Sequence, residues 1–471
     1  LITPQKIYKD IVHITVIQFM KRFLAILFAI SICLKGFNQN NNAAERPIDS
    51  LITNGRCLPS PFPSPPFPFS DWVGGPVIGE PGGLPDYLTQ AIEKAAKKTD
   101  TKWTRVGIHI YGWVDVGVNG STSKIANTPQ SYDFIPNRPV LDQAVVMIER
   151  DPDLVQTQKV DWGFVANVVA GTDYRYTAAK GYFSNQLLEH NHIYGWDPTQ
   201  VYGLIYVPQV AQGMLVKIGR FISPSDIEAQ WAPQNYMYSH SLMFTVDPYT
   251  YTGVNITIRL HPQFQFELGV HGGNDMAPWS NSAQPNGSFM LRWVAKDNKE
   301  SVYGGLASVG SGQYKNGHDD LQQLVFVWGH QFNQTFHMMT EAYYMWQFNA
   351  ALGGTAVYGP VEYGQGGGEG QIIPGRSESI GLVNYFQILC GPKDYVSIRN
   401  DALNDVQGQR TGFATWYTSH TLSWSHHFTD FVLIRPEVRY DHAWNSDGVT
   451  PYDGGTRKYQ FTAAMDLCVS F

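Results

Sequence analysis

From about residue 106 to residue 471 the sequence alternates apolar and polar residues with a period of two, in segments of about nine to eleven residues. No other feature narrows the possible folds as far. Within residues 108–119, Ile108, Ile110, Val114, Val116 and Val118 share one face, while His109, Tyr111, Trp113, Asp115 and Asn119 share the other. Val254, Ile256, Ile258 and Leu260 alternate with Asn255, Thr257 and Arg259, and Phe264, Phe266, Leu268 and Val270 with Gln265, Glu267 and His271. Val432, Ile434, Val438 and Tyr440 oppose Arg435, Glu437, Arg439 and Asp441. Near the end, Tyr459, Phe461, Ala463, Met465, Leu467, Val469 and Phe471 oppose Lys458, Gln460, Thr462, Asp466 and Ser470. Clusters of Gly, Asn, Asp and Pro separate the segments, as turns require.

Alternation alone fits any sheet with one face on a core and one in water. Two features favour a membrane instead. The polar faces mix charged, aromatic and small residues, and the segments have the length a tilted strand needs to cross a bilayer. The last alternating segment also stops on an aromatic, Phe471, which points to the barrel-assembly machinery as a partner. Lipid offers backbone groups no hydrogen-bond partner, so a sheet within it has to close on itself, and water inside the ring favours inward polar side chains. The expectation is an all-β fold: a transmembrane antiparallel up-and-down β-barrel with a short N-terminal helix. About 365 residues at roughly 20 to 25 per strand and connection give about 16–18 strands. Aromatic residues make up 14% of the chain and would form girdles where barrel meets interface.

Composition excludes other classes. Only 15% of residues are charged, against roughly a quarter in soluble domains. The net charge is −7 and no dense Lys/Arg stripe exists, so nucleic acid is not an expected partner. Cys33, Cys57, Cys390 and Cys468 show no metal or disulfide spacing. Residues 20–34, MKRFLAILFAISICL, have signal-peptide anatomy and are too short to span a bilayer. They assign 1–37 to a signal region with its start at Met20. Residues 38–83 read as an Asn/Pro-rich linker, 84–105 as a short amphipathic helix carrying Leu84, Leu88, Ala91, Ile92 and Ala95, and 106–471 as the barrel.

Five stretches resemble the OmpL-like β-barrel porins of Gram-negative outer membranes. They are DYRYTAAKGYFSNQLLEHNHIYGWDP (173–198), VAQGMLVKIGRFISPSDIEAQWAPQNYMYSHSLMFTVDPYTYTG (210–253), GNDMAPW (273–279), RNDALNDVQGQRTG (399–412) and RPEVRYDHA (435–443). The resemblance implies an outer-membrane barrel that passes small hydrophilic solutes, touches outer-membrane lipid, needs no cofactor and is compatible with a homo-oligomer. Charged positions inside the matching stretches are Arg175, Lys217, Arg399, Arg435, Glu437 and Arg439.

In a channel the relevant chemistry is the field of charges on the inner wall. The inward phase supplies Lys217, Arg259, Arg292, Arg399, Arg435 and Arg439, opposed by Asp115, Glu267, Glu341, Glu437 and Asp441. With Arg175 these are the candidate pore-lining residues. The slight excess of cations suggests weak anion preference or sugar binding, and pairing across strands is the plainer role for each one. GQGGGEG (364–370) lacks nucleotide-loop spacing and reads as a surface or constriction loop. Glu189, His190 and His192, or His318 with Asp319 and Asp320, form no full ligand set, so no metal is assigned. The neighbours Ser239/His240, Ser419/His420 and Ser425/His426 would point to opposite faces within a strand and could not share a proton. An outer-membrane lipid hydrolase and a secreted all-β binding protein are the alternatives; no catalytic residue is assigned.

Overall fold

Successive side chains of an extended strand point to opposite faces of its sheet, so the alternation above sorts every residue to an inside or an outside once the sheet closes. The computed structural model describes residues 77–79 and 107–471, except 225, 298, 355–369 and 445–447. The expected signal region with Met20 and Cys33, the linker with Cys57 apart from 77–79, the helix at 84–105, and 364–369 of the glycine-rich stretch lie outside the described residues.

The strands are β1 (His109–Ser121), β2 (Pro139–Arg150), β3 (Asp161–Gly171), β4 (Gly195–Asp197), β5 (Val201–Val207), β6 (Met214–Ile222), β7 (Thr250–His261), β8 (Phe264–Asn274) and β9 (Asn286–Val294). They continue as β10 (Glu300–Val309), β11 (Gln322–Gln331), β12 (Phe336–Phe348), β13 (Arg376–Gly391), β14 (Asp394–Asp405), β15 (Thr415–Thr429), β16 (Val432–Trp444) and β17 (Tyr459–Ser470). The strand pairings are all antiparallel, between neighbours in the chain except at β3–β5, and β1 pairs with β17 from Trp113↔Ser470 to Ser121↔Thr462, which closes the sheet. Phe471 and Gly112 exchange two further backbone hydrogen bonds at that seam, at 2.8 and 3.0 Å.

β4 and β5 both pair with β3, so the seventeen strands form a barrel of sixteen staves. The break between them starts at Pro198, which has no N–H for the ladder. Asn167 of β3 bridges the gap: its backbone N–H donates to the Gln200 carbonyl at 3.0 Å, and its Oδ1 accepts from the Gln200 N–H at 2.9 Å.

The two barrel ends differ. At one, connections are short: 262–263 between β7 and β8, 392–393 between β13 and β14, and 430–431 between β15 and β16. At the other they are long: 122–138, 172–194, 223–249, 349–375 and 445–458. Outer-membrane barrels put short turns on the periplasmic side and long loops outside. Tyr174–Thr177 (α1), Asn185–Leu188 (α2) and Leu242–Val246 (α3) are single helical turns within those long loops. Residues 77–79 sit at the short-turn end, where the Gly79 N–H donates to the Leu154 carbonyl at 3.1 Å and Arg259 Nη1 donates to the Ile78 carbonyl at 3.2 Å.

Val114, Val116, Leu268, Val270 and Leu467 face out and are exposed, whereas Asp115, Arg259, Glu267, Arg439 and Asp466 face in and are buried. The outside is therefore the apolar side, the reverse of a soluble protein. Trp196, Trp416, Trp444 and Tyr459 mark the outer face at the long-loop end, and Trp162, Phe264, Trp328 and Phe428 mark it at the other, as two aromatic girdles. A charge placed between the girdles has to enter hydrocarbon. Leu268→Arg, in mid-β8, is expected to cost about 2–4 kcal/mol of stability in reversible unfolding from lipid vesicles, whereas Leu268→Phe costs little. An arginine tolerated there without loss would place this face in water.

Candidate functional site

The connection from β6 to β7, residues 223–249, breaks the period of two and does not stay at the barrel rim. It is rich in aromatic and small residues and carries Pro224, Pro233 and Pro248, which prevent a regular strand. A short 3-10 turn forms at Ala232–Gln234, and Ser241 caps α3 by accepting from the Phe244 N–H at 3.1 Å. The segment leaves the wall at β6 and reaches the strands facing it across the barrel, forming a strap over the lumen. Tyr236, Met237, Leu242, Met243, Phe244 and Val246 pack against the inward side chains Val327, Met339, Tyr343, Val383, Tyr385 and Leu403.

Polar anchors then fix its position. On β16, Arg435, Glu437 and Arg439 lie two residues apart and so share the inward face. Arg435 Nη1 donates to the carbonyls of Ala232 (2.7 Å) and Asn235 (2.9 Å), while its Nε holds Asp466 at 3.0 Å. Arg439 Nη1 donates to the His240 carbonyl at 2.6 Å and its Nε to Asp441 at 2.7 Å. Between them, Glu437 Oε2 accepts the backbone N–H groups of Tyr238 and Ser239, both at 3.1 Å. Arg399 of β14 donates to Ser239 Oγ at 3.0 Å and to Glu228 of the strap at 3.3 Å. A guanidinium suits this role because its planar fork can serve a carboxylate and a carbonyl together.

Other wall strands complete the attachment. Gln143 of β2 donates to the Gln230 carbonyl at 2.9 Å and accepts from the Ala232 N–H at 3.1 Å. Glu341 of β12 accepts the Ile227 N–H at 3.1 Å. Trp231 stacks edge-on to Trp113 at 5.5 Å and donates to Gln200 at 3.1 Å. Tyr238 reaches between β1 and β2 to donate to Asp142 Oδ2 at 3.2 Å. Gly117 permits that approach, because a methyl group there would overlap the Tyr238 hydroxyl.

His240 is stacked between Tyr132 at 3.9 Å and Phe244 at 4.6 Å. Burial pushes its pKa down to about 4, although Glu228 and a hydrogen bond to the Ala229 carbonyl pull upward; Arg399 and Arg435 add to the downward push. The strap therefore holds a neutral imidazole at neutral pH.

The sequence-derived candidates now have places. Asp115, Lys217, Arg259, Glu267, Arg292, Glu341, Arg399, Arg435, Glu437, Arg439 and Asp441 all point inward and are buried. Arg399, Arg435, Glu437, Arg439 and Glu341 are brought together by the strap, and Asp441 supports Arg439. Lys217 lies over the Tyr202 and Phe221 rings, and Arg259 serves the short-turn end. Arg175 is on no stave: it sits in α1 and donates to Asn191 at 2.7 Å, which holds the loop 172–194 together. Reading 210–253 as continuous barrel sequence missed the strap itself, along with Glu228, Gln143 and Tyr238. The missing period of two across 223–249 was the available signal.

The Ser/His neighbours resolve the same way. Ser419 and Ser425 are buried inside, while His420 and His426 face out. Ser239 and His240 lie in the strap and not in a strand, which corrects the strand-based expectation for that pair. His318 Nε2 donates to the Asn274 carbonyl, while Asp319 and Asp320 accept the backbone N–H groups of Ala351 and Gly312, and together they shape a loop. Among the described residues no group of side chains could hold a metal ion.

Residues 107–471 match the family model described as Putative beta-barrel porin-2, OmpL-like. Among solved structures, the chain is similar to the outer membrane channel DcaP of Acinetobacter baumannii at 9% identity, covering 77% of this chain and 97% of that one, with a TM-score of 0.44. It is similar to Pseudomonas putida OprB in its high-pH structure (14%, 80% and 97%, TM-score 0.47) and to Salmonella typhi OmpF in complex with daunomycin (12%, 78% and 99%, TM-score 0.48). No curated protein matches the sequence.

Two outcomes are expected. Replacing Arg435 and Arg439 with Gln removes three carbonyl anchors and leaves Asp466 and Asp441 buried without their guanidinium, at a cost of about 3–5 kcal/mol per broken pair. Single-channel conductance should rise and the strap should become open to added protease; unchanged conductance would mean that the strap holds without these anchors. The second concerns pH. The docked strap binds His240 in a form that takes up a proton only near pH 4, while a free imidazole does so near 6.5. Docking therefore weakens as pH falls from about 6.5 to about 4, and amide exchange in the strap should speed up over that window in the native chain but not in His240→Gln.

Proposed function

The chain belongs to the OmpL-like beta-barrel porin-2 family, and from that premise we propose that it lets small, neutral, hydrophilic solutes diffuse passively through a lumen that the strap 223–249 narrows. A porin of the bacterial outer membrane needs a closed wall, an apolar outside and a polar inside, and this barrel has all three. The observation that carries the solute class is the pairing of the inward charges. Arg435 is matched by Asp466, Arg439 by Asp441, and Arg399 by Glu228 and Asp401, while Glu437 is occupied by strap N–H groups. Charges already committed to one another exert little net field on a passing ion. The slight excess of cations in the sequence therefore does not translate into strong anion preference.

A channel, rather than an enzyme, also fits the outer wall. A lipid hydrolase would need a serine, a histidine and a carboxylate together on the lipid side. Outward His426 pairs with Asp394 at 2.7 Å, but Ser419, Ser423 and Ser425 on the same strand are buried inside. Contact with outer-membrane lipid through the apolar face, and delivery by the barrel-assembly machinery through the strand ending at Phe471, belong to the same reading.

The test is permeation. Proteoliposomes should swell in small neutral sugars and more slowly in larger ones, and planar bilayers under a salt gradient should show stepwise conductance with a reversal potential near zero. Strong selectivity for either ion sign would overturn the neutral-solute reading. Asp466→Asn leaves Arg435 with an unmatched charge, so the reversal potential should move toward anion preference.

A further inference from the structure

One pattern occurs twice in the chain. Lys299, Glu300 and Val302 are followed by Trp328, His330 and Phe332; Lys393, Asp394 and Val396 are followed by Trp424, His426 and Phe428. The barrel sets both copies in the same register. On β10 and β11, Glu300 pairs across strands with His330 and Val302 with Trp328; on β14 and β15, Asp394 pairs with His426 and Val396 with Trp424. These residues face outward, because their chain neighbours Ser301, Val327, Tyr395 and Ser425 are buried inside. Glu300 and Asp394 open their strands, so both clusters stand at the short-turn rim, on the level of the girdle there.

The two clusters are built alike. Glu300 accepts from His330 Nδ1 at 2.5 Å and from Trp328 Nε1 at 2.8 Å. Asp394 accepts from His426 Nδ1 at 2.7 Å and from Trp424 Nε1 at 3.1 Å. An ionised carboxylate only accepts, so Nδ1 carries a proton in both rings, and in the neutral ring the Nε2 lone pair is left over. A phenylalanine then stands edge-on to each imidazole, Phe332 at 4.4 Å and 79°, Phe428 at 4.7 Å and 84°. The carboxylates stay reachable, with side chains 34% and 31% exposed. Among the described residues, neither histidine Nε2 nor Asp394 Oδ2 meets a protein partner.

The surroundings are also shared. Lys299 and Lys393 are exposed in the turns that lead into the acidic residues, and Lys393 Nζ reaches the Phe428 carbonyl at 3.1 Å. Toward mid-membrane the wall becomes apolar: Leu324 and Phe326 are exposed above Trp328, and Ile398 pairs with Leu422 above Trp424. Tryptophan at this level is ordinary for a barrel. A carboxylate pinned there by two N–H donors, with hydrocarbon-facing residues above it and a lysine beside it, is not explained by anchoring alone. Such an anion repels a bare phosphate, whereas it attracts an ammonium, which the neighbouring ring faces also favour.

We propose that these two clusters are headgroup sites for a zwitterionic phospholipid that carries a primary ammonium, one molecule at each, in the leaflet at the short-turn end. The ammonium donates to the open side of the carboxylate and to the histidine Nε2, beside the Trp and Phe rings. The lysine takes the phosphate, and the acyl chains follow the apolar residues above. Positive and negative partners are thus offered in the order in which the headgroup presents its own charges. The sites stand four staves apart, about 27 Å around a wall of strands tilted near 45°, too far for one headgroup to serve both.

The proposal rests on the barrel spanning the membrane, and the experiment separates the two. The full chain, purified in mild detergent, is supplied with equal amounts of phosphatidylethanolamine, phosphatidylcholine and phosphatidylglycerol, and retained lipid is counted by native mass spectrometry. The choline lipid has the same phosphate but no ammonium N–H, and the glycerol lipid has no cation. Wild type should retain up to two ethanolamine lipids, several-fold over either competitor. Glu300→Gln or Asp394→Asn alone should lower the number to one, and the two together should abolish the preference, while Glu378→Gln at the long-loop end changes nothing. The wild-type competition alone decides the matter if a variant fails to fold. Equal retention of all three lipids, preference for the glycerol lipid through the lysines only, or a preference that survives the double variant overturns the headgroup sites and leaves the porin reading standing. Recovery of the chain from the soluble fraction would instead overturn the membrane reading.

Discussion

The backbone of this protein has to satisfy its own hydrogen bonds, because hydrocarbon supplies none. That one constraint accounts for the closed ladder, for the seam between β1 and β17, and for the way Phe471 and Gly112 extend it by two more bonds. Even the break in a stave at Pro198 is repaired by the Asn167 side chain and backbone. Once the sheet is closed, each side chain has only two destinations. The period of two sends valine, leucine and phenylalanine to lipid and arginine, aspartate and glutamate to the inside.

The inside then faces a second problem. Buried charges are expensive unless each is matched and hydrogen-bonded. The strap 223–249 resolves this by presenting backbone carbonyls and N–H groups to Arg435, Arg439, Arg399 and Glu437, so the wall and the loop complete one another's hydrogen bonding. Its apolar side chains contribute a small packed core where the barrel would otherwise hold only water. The outcome is a set of inward guanidinium groups, Arg435, Arg439 and Arg399, each matched by a carboxylate and a group of the strap.

Much of this was legible residue by residue. The faces assigned to 108–119, 254–271, 432–441 and 459–471 are the faces the barrel shows, and the inward set from Asp115 to Asp441 is buried as that phase requires. Arg175 stands in a loop that closes on itself through Asn191, a placement that a family segment alone does not specify. The strap escaped notice for a different reason: its anchors are mostly backbone carbonyls, which every residue possesses and no side-chain pattern marks.

The sequence by itself determined that the chain forms a closed sheet with an oily exterior, because alternation is a local property and lipid leaves a strand no other solution. Only the tertiary structure decided which charges neutralise one another and where the strap crosses. Those relations depend on register between strands, and a shift of a single residue in any of them would exchange the faces.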